Sequence, residues 1–465
     1  MNAWLIDSLW LLPLVTGILL RRARKPSSAR AVATTVATLL FALSLVLLFG
    51  RGIDGLSAIL VSLVSGLIVV LLVGVPRVEL DVETVADVLL VEGGALGVLV
   101  STNVLVLALC WALTTIPLRL EASRSRDVAL GRAFLWLSTF SVTPLFAVAL
   151  ALSILGVQQH LASPFDLTTH LKLHLSPRLE LVLGSGVVLA ATARSGVFPF
   201  HLWVPAALER GRISSVLPTV VSPLGSFIAT RLGLSLFPRA LTQIAPLVIA
   251  MGTASALYGA VVALGRHNAR RQLAFLWVSI VGFVFVGLAS LDVRAMSGSM
   301  FYDVAAALSM TGLLLIVRAV EARTGTADMR CLGGLVRFTP RLAACYFLLG
   351  VATVCFPGTA SFVCEDLLVQ GLHERHPVVV VLLLIATALN GVSLVRSFKR
   401  LFLGTPSMHA PPLERVEDML PRERWVAVVL ITLSLLGGFL PSPLLRIRHS
   451  VVDSLRIAMP VEDGW

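Results

Sequence analysis

Residues 178–208 read RLELVLGSGVVLAATARSGVFPFHLWVPAAL, an apolar stretch that is too long for one straight membrane crossing. A helix of about 20 apolar residues already spans the hydrocarbon core of a bilayer. Pro199 interrupts the stretch, and Pro357 interrupts a second long apolar stretch at 340–372 in the same way. Because proline breaks or kinks a helix, the two stretches predict two broken transmembrane helices.

The rest of the chain is equally apolar. Hydrophobic residues make up 57% of the 465 residues and charged residues only 14%, whereas soluble domains carry about 25% charge. Fourteen apolar segments are predicted, near 3–20, 31–49, 56–75, 83–101, 103–120, 128–155, 178–208, 212–236, 240–264, 269–289, 297–319, 340–372, 377–404 and 424–444. The sequence therefore predicts an all-α polytopic membrane protein with about 14 transmembrane helices.

Positive charge follows the predicted topology. The net charge of +11 comes mainly from arginines in short loops after odd-numbered segments, such as Arg266, Arg270 and Arg271. By the positive-inside rule these loops face the cytoplasm, and both termini are predicted to lie outside. The basic tail, with Arg446 and Arg448, runs against this orientation. This distribution favours a lipid bilayer, and not nucleic acid, as the partner of the basic residues.

Segments four to eight and nine to thirteen form two blocks of five, each with its broken helix at the fourth position. Because five is odd, the second block enters the membrane from the opposite side, which is the pattern of an inverted repeat. The predicted divisions are 1–82 (three helices), 83–236 (first repeat), 240–404 (second repeat) and 405–465 (loop, last helix and tail). Paired broken helices are typical of transport sites.

Charged residues inside apolar segments are the candidate ion path, because such residues are costly in a bilayer and are usually functional. The candidates are Arg194, His201, Asp303, Glu365 and Asp366. Arginine stays protonated, so it can bias a neighbouring group but carries protons poorly. Carboxylates and histidine can exchange protons. Arg194 could instead belong to a structural ion pair. The other candidates could instead lie at a helix end in water or have a packing role.

The sequence contains no motif for a cofactor or a metal. The five cysteines form no C-x-x-C pair, and neither a Walker A loop nor a G-x-G-x-x-G fingerprint after a strand is present. His170 and His174 have a metal-binding spacing, but no third ligand is evident, which favours a solvated surface. We expect no cofactor, no metal and no catalytic residues in this chain alone.

The stretch from Arg194 to Pro205, RSGVFPFHLWVP, is similar to the motif K-S-A-x-x-P-F-H-x-W-L-P. That motif belongs to the antiporter-like membrane subunits of respiratory complex I and of Mrp sodium/proton antiporters. Five further matches follow in the family's order: NARRQLAF at 268–275; Ser279, Gly282, Phe283 and Gly287; TADM at 326–329 with GGL at 333–335 and Pro340; FPGTASF at 356–362 with Glu365; and RLFLG at 400–404. The resemblance covers roughly residues 90–404, and it implies this family's fold and its role in proton or cation translocation.

The resemblance also implies a row of buried lysine, glutamate and histidine side chains, from which this sequence departs. It has Ala112 at the fifth-segment glutamate, Arg194 at the seventh-segment lysine, a residue near Pro223 at the eighth-segment lysine, and Ala306 or Met310 at the eleventh-segment histidine or lysine. Glu365 is the carboxylate that remains. If Arg194 is buried, it needs a partner other than the missing glutamate.

Three interpretations of function stay open at this point. The first is a proton- or cation-conducting subunit of a respiratory complex such as an NADH:quinone oxidoreductase, with other membrane subunits and a peripheral catalytic subunit as partners. The second is the membrane subunit of a bacterial inorganic-carbon uptake complex, whose members resemble the same family and pair with a large zinc protein. The third is a non-conducting scaffold subunit. In the first two, the resemblance implies the bacterial inner membrane.

Overall fold

The structure is a computed structural model that describes residues 3–50, 54–405 and 417–440. Its α-helices are α1 (Ala3–Leu20), α2 (Pro26–Gly50), α3 (Gly55–Gly74), α4 (Val82–Val100), α5 (Val104–Leu113), α6 (Ile116–Ser125), α7 (Val128–Leu137), α8 (Thr143–Gln158), α9 (Leu167–His170), α10 (Pro177–Ser195), α11 (Trp203–Arg210), α12 (Ile213–Val221), α13 (Leu224–Ile228), α14 (Pro238–Leu264), α15 (Ala269–Ala289), α16 (Val293–Thr324), α17 (Pro340–Thr353), α18 (Ala360–Leu372), α19 (Pro377–Phe402) and α20 (Pro421–Phe439). Segments of 3₁₀-helix span Arg77–Glu79, Phe200–Leu202 and Leu335–Arg337, and π-helix spans Ser138–Val142 and Ala229–Leu234.

The predicted all-α architecture is confirmed for the described residues. Each predicted apolar segment overlaps one helix or a run of consecutive helices. Among the described residues, six single helices and four runs of consecutive helices are long and apolar enough to cross a membrane. The total of fourteen crossings stays a prediction. The tail at 441–465, with its arginines, lies outside the described residues.

Both predicted broken helices are present, and two further interruptions were not predicted. The chain leaves the helix between α10 and α11 and again between α17 and α18. The additional interruptions lie between α5 and α6, where Pro117 is the second residue of α6, and between α12 and α13, at Pro223. Proline fits the first turn of a helix, as at Pro117, and it disfavours helical geometry in the residue before it, as at Ser222, whose ψ is 125°.

Helices α14 and α15 pack through glycine. A Cβ atom at Gly259 would lie 2.5 Å from the backbone nitrogen of Ser279, and one at Gly282 would lie 2.5 Å from the carbonyl oxygen of Gly252. Both distances are far below contact, so only glycine permits this approach. Small residues at such crossings are typical of membrane helix pairs.

Two short backbone bridges tie helix starts to distant loops in the same way. Asn103 caps α5 and pairs with Asp166, and Asn268 caps α15 and pairs with Asp328. In the first bridge the hydrogen bonds are Val104 N to Phe165 O at 2.9 Å and Leu167 N to Thr102 O at 2.8 Å. In the second they are Ala269 N to Ala327 O at 2.9 Å and Met329 N to His267 O at 2.9 Å.

Candidate functional site

The first broken helix positions Arg194 and His201. Helix α10 ends at Gly196, whose φ of +83° is the left-handed conformation that glycine adopts without strain. Arg194 lies two residues earlier with only 1% of its surface exposed. His201 lies in the 3₁₀ segment that follows the break and is also buried.

Arg194 is a buried cation that has no carboxylate partner among the described residues. No guanidinium nitrogen has a hydrogen-bond partner in the part of the chain that the structure describes. Its guanidinium carbon lies 5.7 Å from the ring centroid of Trp111, and the indole of Trp111 donates to Ser141 Oγ at 3.0 Å. A cation over an indole face is stabilised by the ring quadrupole. The site therefore contains a fixed positive charge whose N–H groups donate no hydrogen bond to any described residue.

His201 is enclosed by aromatic rings. Its ring centroid lies 4.9 Å from that of Tyr258, 5.6 Å from that of Phe198 and 6.3 Å from that of Phe275. Neither imidazole nitrogen forms a hydrogen bond with another described side chain. These aromatic contacts fix the position of the ring, and the backbone of Pro199 lies beside it.

Glu365 and Asp366 both lie on α18, which follows the second break, but they face different environments. Glu365 is buried on α18, and its carboxylate accepts a hydrogen bond from the Thr387 hydroxyl on α19. Asp366 is exposed and accepts from Gln370 Nε2 at 2.8 Å. The structure thus places the two neighbouring acids in opposite environments, and only Glu365 lies inside the bundle.

Asp303 is buried on α16 and accepts a hydrogen bond from the hydroxyl of Ser226. Ser226 belongs to α13, which begins directly after Pro223. The carboxylate therefore faces the interruption between α12 and α13. This interruption includes the position at which the family's eighth-segment lysine is missing from the sequence.

Sequence analysis missed two residues that lie between these acids. The Cys355 thiol donates to the Tyr302 hydroxyl at 3.2 Å, and the Glu365 carboxylate lies beside the same thiol. Tyr302 directly precedes Asp303, and Cys355 opens the second break, just before Phe356-Pro357. Their positions next to a candidate acid and a matched motif were the signals available in the sequence.

Glu92 is a further buried acid that sequence analysis did not single out. It lies in α4 with 0% of its surface exposed, and neither carboxylate oxygen has a hydrogen-bond partner among the described residues. Segment 83–101 contains three acids, Glu83, Asp87 and Glu92, and the position of Glu92 near its middle was the signal that marks it. No described contact joins Glu92 to the two broken helices.

A series of polar contacts crosses from the first break to α19. The Phe198 N–H donates to Ser255 Oγ at 3.2 Å, and the Ser255 hydroxyl donates to the carbonyl of Val278 at 2.9 Å. The next residue, Ser279, accepts from Asn390 Nδ2 at 2.9 Å. Asn390 lies one helical turn after Thr387, the partner of Glu365, so polar groups extend from one broken helix toward the other.

Charged side chains at one end of the bundle pair with each other. Glu79 bonds Arg318, and the same carboxylate accepts from the Ser214 hydroxyl at 3.1 Å. Further ion pairs there are Arg21–Asp87, Arg124–Asp87, Arg212–Asp81 and Arg323–Glu423. This end contains loops after odd-numbered segments, so much of the positive charge that defines the predicted topology is also structural.

One matched motif has a role in loop structure. Asp328, in TADM, accepts from Arg330 Nη2 at 2.7 Å and from the Arg330 backbone N–H at 2.9 Å. The side-chain hydrogen bond from Arg330 lowers the pKa of Asp328 from its ordinary value. Asp328 is therefore ionised near neutral pH and stabilises the loop that bridges to Asn268.

The described residues contain no group of three or more histidine, cysteine, aspartate or glutamate side chains that could hold a metal ion. His170, one of the two spaced histidines, contacts the carbonyl of Pro164 through Nε2 at 2.8 Å.

This fold and these buried groups define a polytopic membrane protein with ionisable residues beside broken helices. The chain belongs to the family described as "NADH:quinone oxidoreductase/Mrp antiporter, TM", whose sequence profile matches residues 101–390. The resemblance drawn from the motifs is confirmed. The matched range includes both broken helices and all five predicted path residues.

The chain is similar to two curated proteins that are both named NADH-quinone oxidoreductase subunit M. The protein of Mycobacterium tuberculosis is 31% identical over 280 residues, which cover 60% of this chain and 50% of the relative, so the match spans half of that protein's length. The protein of Escherichia coli K12 is 26% identical over 418 residues, which cover 87% of this chain and 82% of the relative.

The fold itself is shared with a chain of respiratory complex I from Thermus thermophilus. The TM-score is 0.87 at 23% sequence identity, with 98% of this chain and 100% of that chain covered. At this level of identity the likeness establishes the fold alone.

Proposed function

We propose that this chain conducts protons as an antiporter-like membrane subunit of a larger respiratory or ion-translocating complex. The observation that carries the proposal is a buried carboxylate beside a broken helix, namely Glu365 with its bond from Thr387. Ionisable residues inside membrane segments mark ion pathways. Backbone freed at a helix break is tolerated where it lines a cavity or is buried in protein.

The proposed path consists of Arg194, His201, Asp303 and Glu365. The two buried carboxylates exchange protons, and His201 relays them at the first break. Arg194 supplies a fixed positive charge that biases these equilibria. Asp366 is not included, because its side chain is exposed and lies outside the bundle.

Partners supply the driving chemistry in this proposal. The relatives are named as subunits of NADH-quinone oxidoreductase, so we infer that this chain assembles with other membrane subunits and a peripheral catalytic subunit in a bacterial inner membrane. The chain is not catalytic alone.

An inverted repeat of 83–236 and 240–404 is also part of the proposal. Each half contains one of the broken helices and one of the bridges, Asn103–Asp166 and Asn268–Asp328. Each bridge joins the second predicted helix of its half to the loop after the third. This correspondence supports two copies of one five-helix unit.

Orientation can be tested with the native Cys331, in the loop between α16 and α17. If both termini lie outside, this loop is cytoplasmic, and its half-buried cysteine is within reach of solvent. We expect a membrane-impermeant maleimide to label Cys331 in inverted vesicles and not in right-side-out vesicles. The Cys331→Ser variant is the control for specificity, and labelling from the right-side-out surface would reverse the proposed topology.

The proposed function is tested first by purifying the tagged chain from its native membranes in mild detergent and identifying the proteins that co-purify. We expect iron–sulfur and quinone-site subunits, together with proton uptake during electron transfer after reconstitution into vesicles. A single large zinc-binding partner would replace this function with inorganic-carbon uptake. If the assembled complex moved no protons during turnover, the chain would be a non-conducting scaffold subunit.

A further inference from the structure

We propose that Tyr302 and Cys355 form a proton relay that serves Glu365, a role that rests on the proposed function. The Cys355 thiol donates to the Tyr302 hydroxyl at 3.2 Å and lies beside the Glu365 carboxylate. The three groups come from α16, from the second break and from α18, so tertiary structure alone brings them together.

The relay is enclosed. Tyr302 is 2% exposed and Cys355 is 6% exposed. The Tyr302 ring packs edge-on against Phe283, with centroids 5.7 Å apart and planes at 85°. Side chains that are this well packed keep their hydrogen-bond geometry.

The backbone holds Cys355 in an unusual conformation. Its φ is +57°, which is uncommon for a residue other than glycine. Such conformations persist only where the surrounding structure supports them, and they cluster at functional sites. Here the conformation places the Cys355 thiol between the Tyr302 hydroxyl and the Glu365 carboxylate, at the start of the second break.

The phenol and the thiol can pass a proton along and return to their original protonation states. A hydroxyl and a thiol each carry one proton and can accept another on a lone pair. Protonated Glu365 gives its proton to a sulfur lone pair while the thiol proton passes to the Tyr302 oxygen, and Tyr302 releases its own proton to a water molecule on the α16 side. The reverse sequence delivers a proton to Glu365. No bond other than O–H and S–H forms or breaks, and no oxidant is required.

Tyr302 is also next in sequence to Asp303, the other carboxylate of the proposed path. Asp303 is the next residue on α16, and its carboxylate is held by Ser226. Successive helical residues point about 100° apart, so the two side chains face different neighbours. A single turn of α16 thereby carries both Asp303 and the tyrosine that contacts Cys355.

The test compares Cys355→Ala with Cys355→Ser in the complete complex, reconstituted into vesicles with an internal pH-sensitive dye. The alanine variant removes the relay and the serine variant keeps a donor and an acceptor, so we expect the first to lower proton flux about tenfold and the second to stay within about twofold of the unmodified protein. Tyr302→Phe should match Cys355→Ala. The double variant should be no slower, because residues in one series are not additive.

Cys345→Ala is the matched control, since Cys345 contacts Met419 Sδ and lies away from this series. Equal loss in the serine and alanine variants would show that Cys355 only fills space, and it would overturn the relay. If Glu365→Gln abolishes flux while all relay variants conduct normally, the relay is wrong and the proposed function stands. If Glu365→Gln also conducts normally, the proposed function itself fails.

Discussion

Replacing Glu365 with glutamine is expected to lower proton flux through the complete complex at least about tenfold. Glutamine preserves the size of the side chain and can still accept from Thr387, but it cannot bind and release a proton in the working pH range. The measurement is dye-reported proton uptake by reconstituted vesicles while the complex turns over. The ratio of protons moved to turnover should fall, and assembly of the complex should be unchanged.

Asp366→Asn is the matched control for this experiment. It removes a carboxylate from the neighbouring position, but Asp366 is exposed and bonds only Gln370 in the described contacts. Flux in Asp366→Asn should stay close to that of the unmodified protein. If the two variants lost flux equally, the buried location of Glu365 would not be what matters.

Replacing Arg194 with alanine is expected to lower proton flux about tenfold with little loss of folded protein. No hydrogen bond of the described residues is broken by this change, and loss of the cation–π contact with Trp111, worth about 2 kcal/mol, is offset by removal of a buried cation that is costly in the bilayer. In the proposed path, this change removes the fixed positive charge that biases the protonation of the buried acids. Flux and thermal unfolding of the solubilised complex are the two measurements.

Arg194→Lys separates charge from shape. Because the guanidinium makes no bidentate contact, lysine should retain most of the flux by keeping the charge. Arg178→Ala, at the exposed start of the same helix, should have no effect. If Arg194→Ala conducted like the unmodified protein, Arg194 would have a packing role only.

Much of the fold could be predicted because membrane segments leave a strong signal in sequence. The helix α15 occupies 269–289 as predicted, and both broken helices occur at Pro199 and Pro357. The interruptions at Pro117 and Pro223 were missed because each lies within an apolar segment of ordinary length. Such a proline can kink a continuous helix or restart it, and packing decides which.

The candidate site could be predicted only in part. Lone charges in apolar segments identified Arg194, Asp303 and Glu365, all of which are buried. The sequence could not separate Glu365 from Asp366, because adjacent residues differ only in which side of the helix they face. The contact of Cys355 with Tyr302 depends on a separation of 53 residues, which no local pattern reveals.

The glycine contact between α14 and α15 limits how this molecule can move. With Gly259 and Gly282 seated against the opposite backbone, the two helices have almost no side-chain layer through which to slide or rotate past each other. They act as one rigid unit, and a side chain inserted at either position would push them apart. If the chain conducts ions as proposed, the accompanying rearrangement does not take place between α14 and α15.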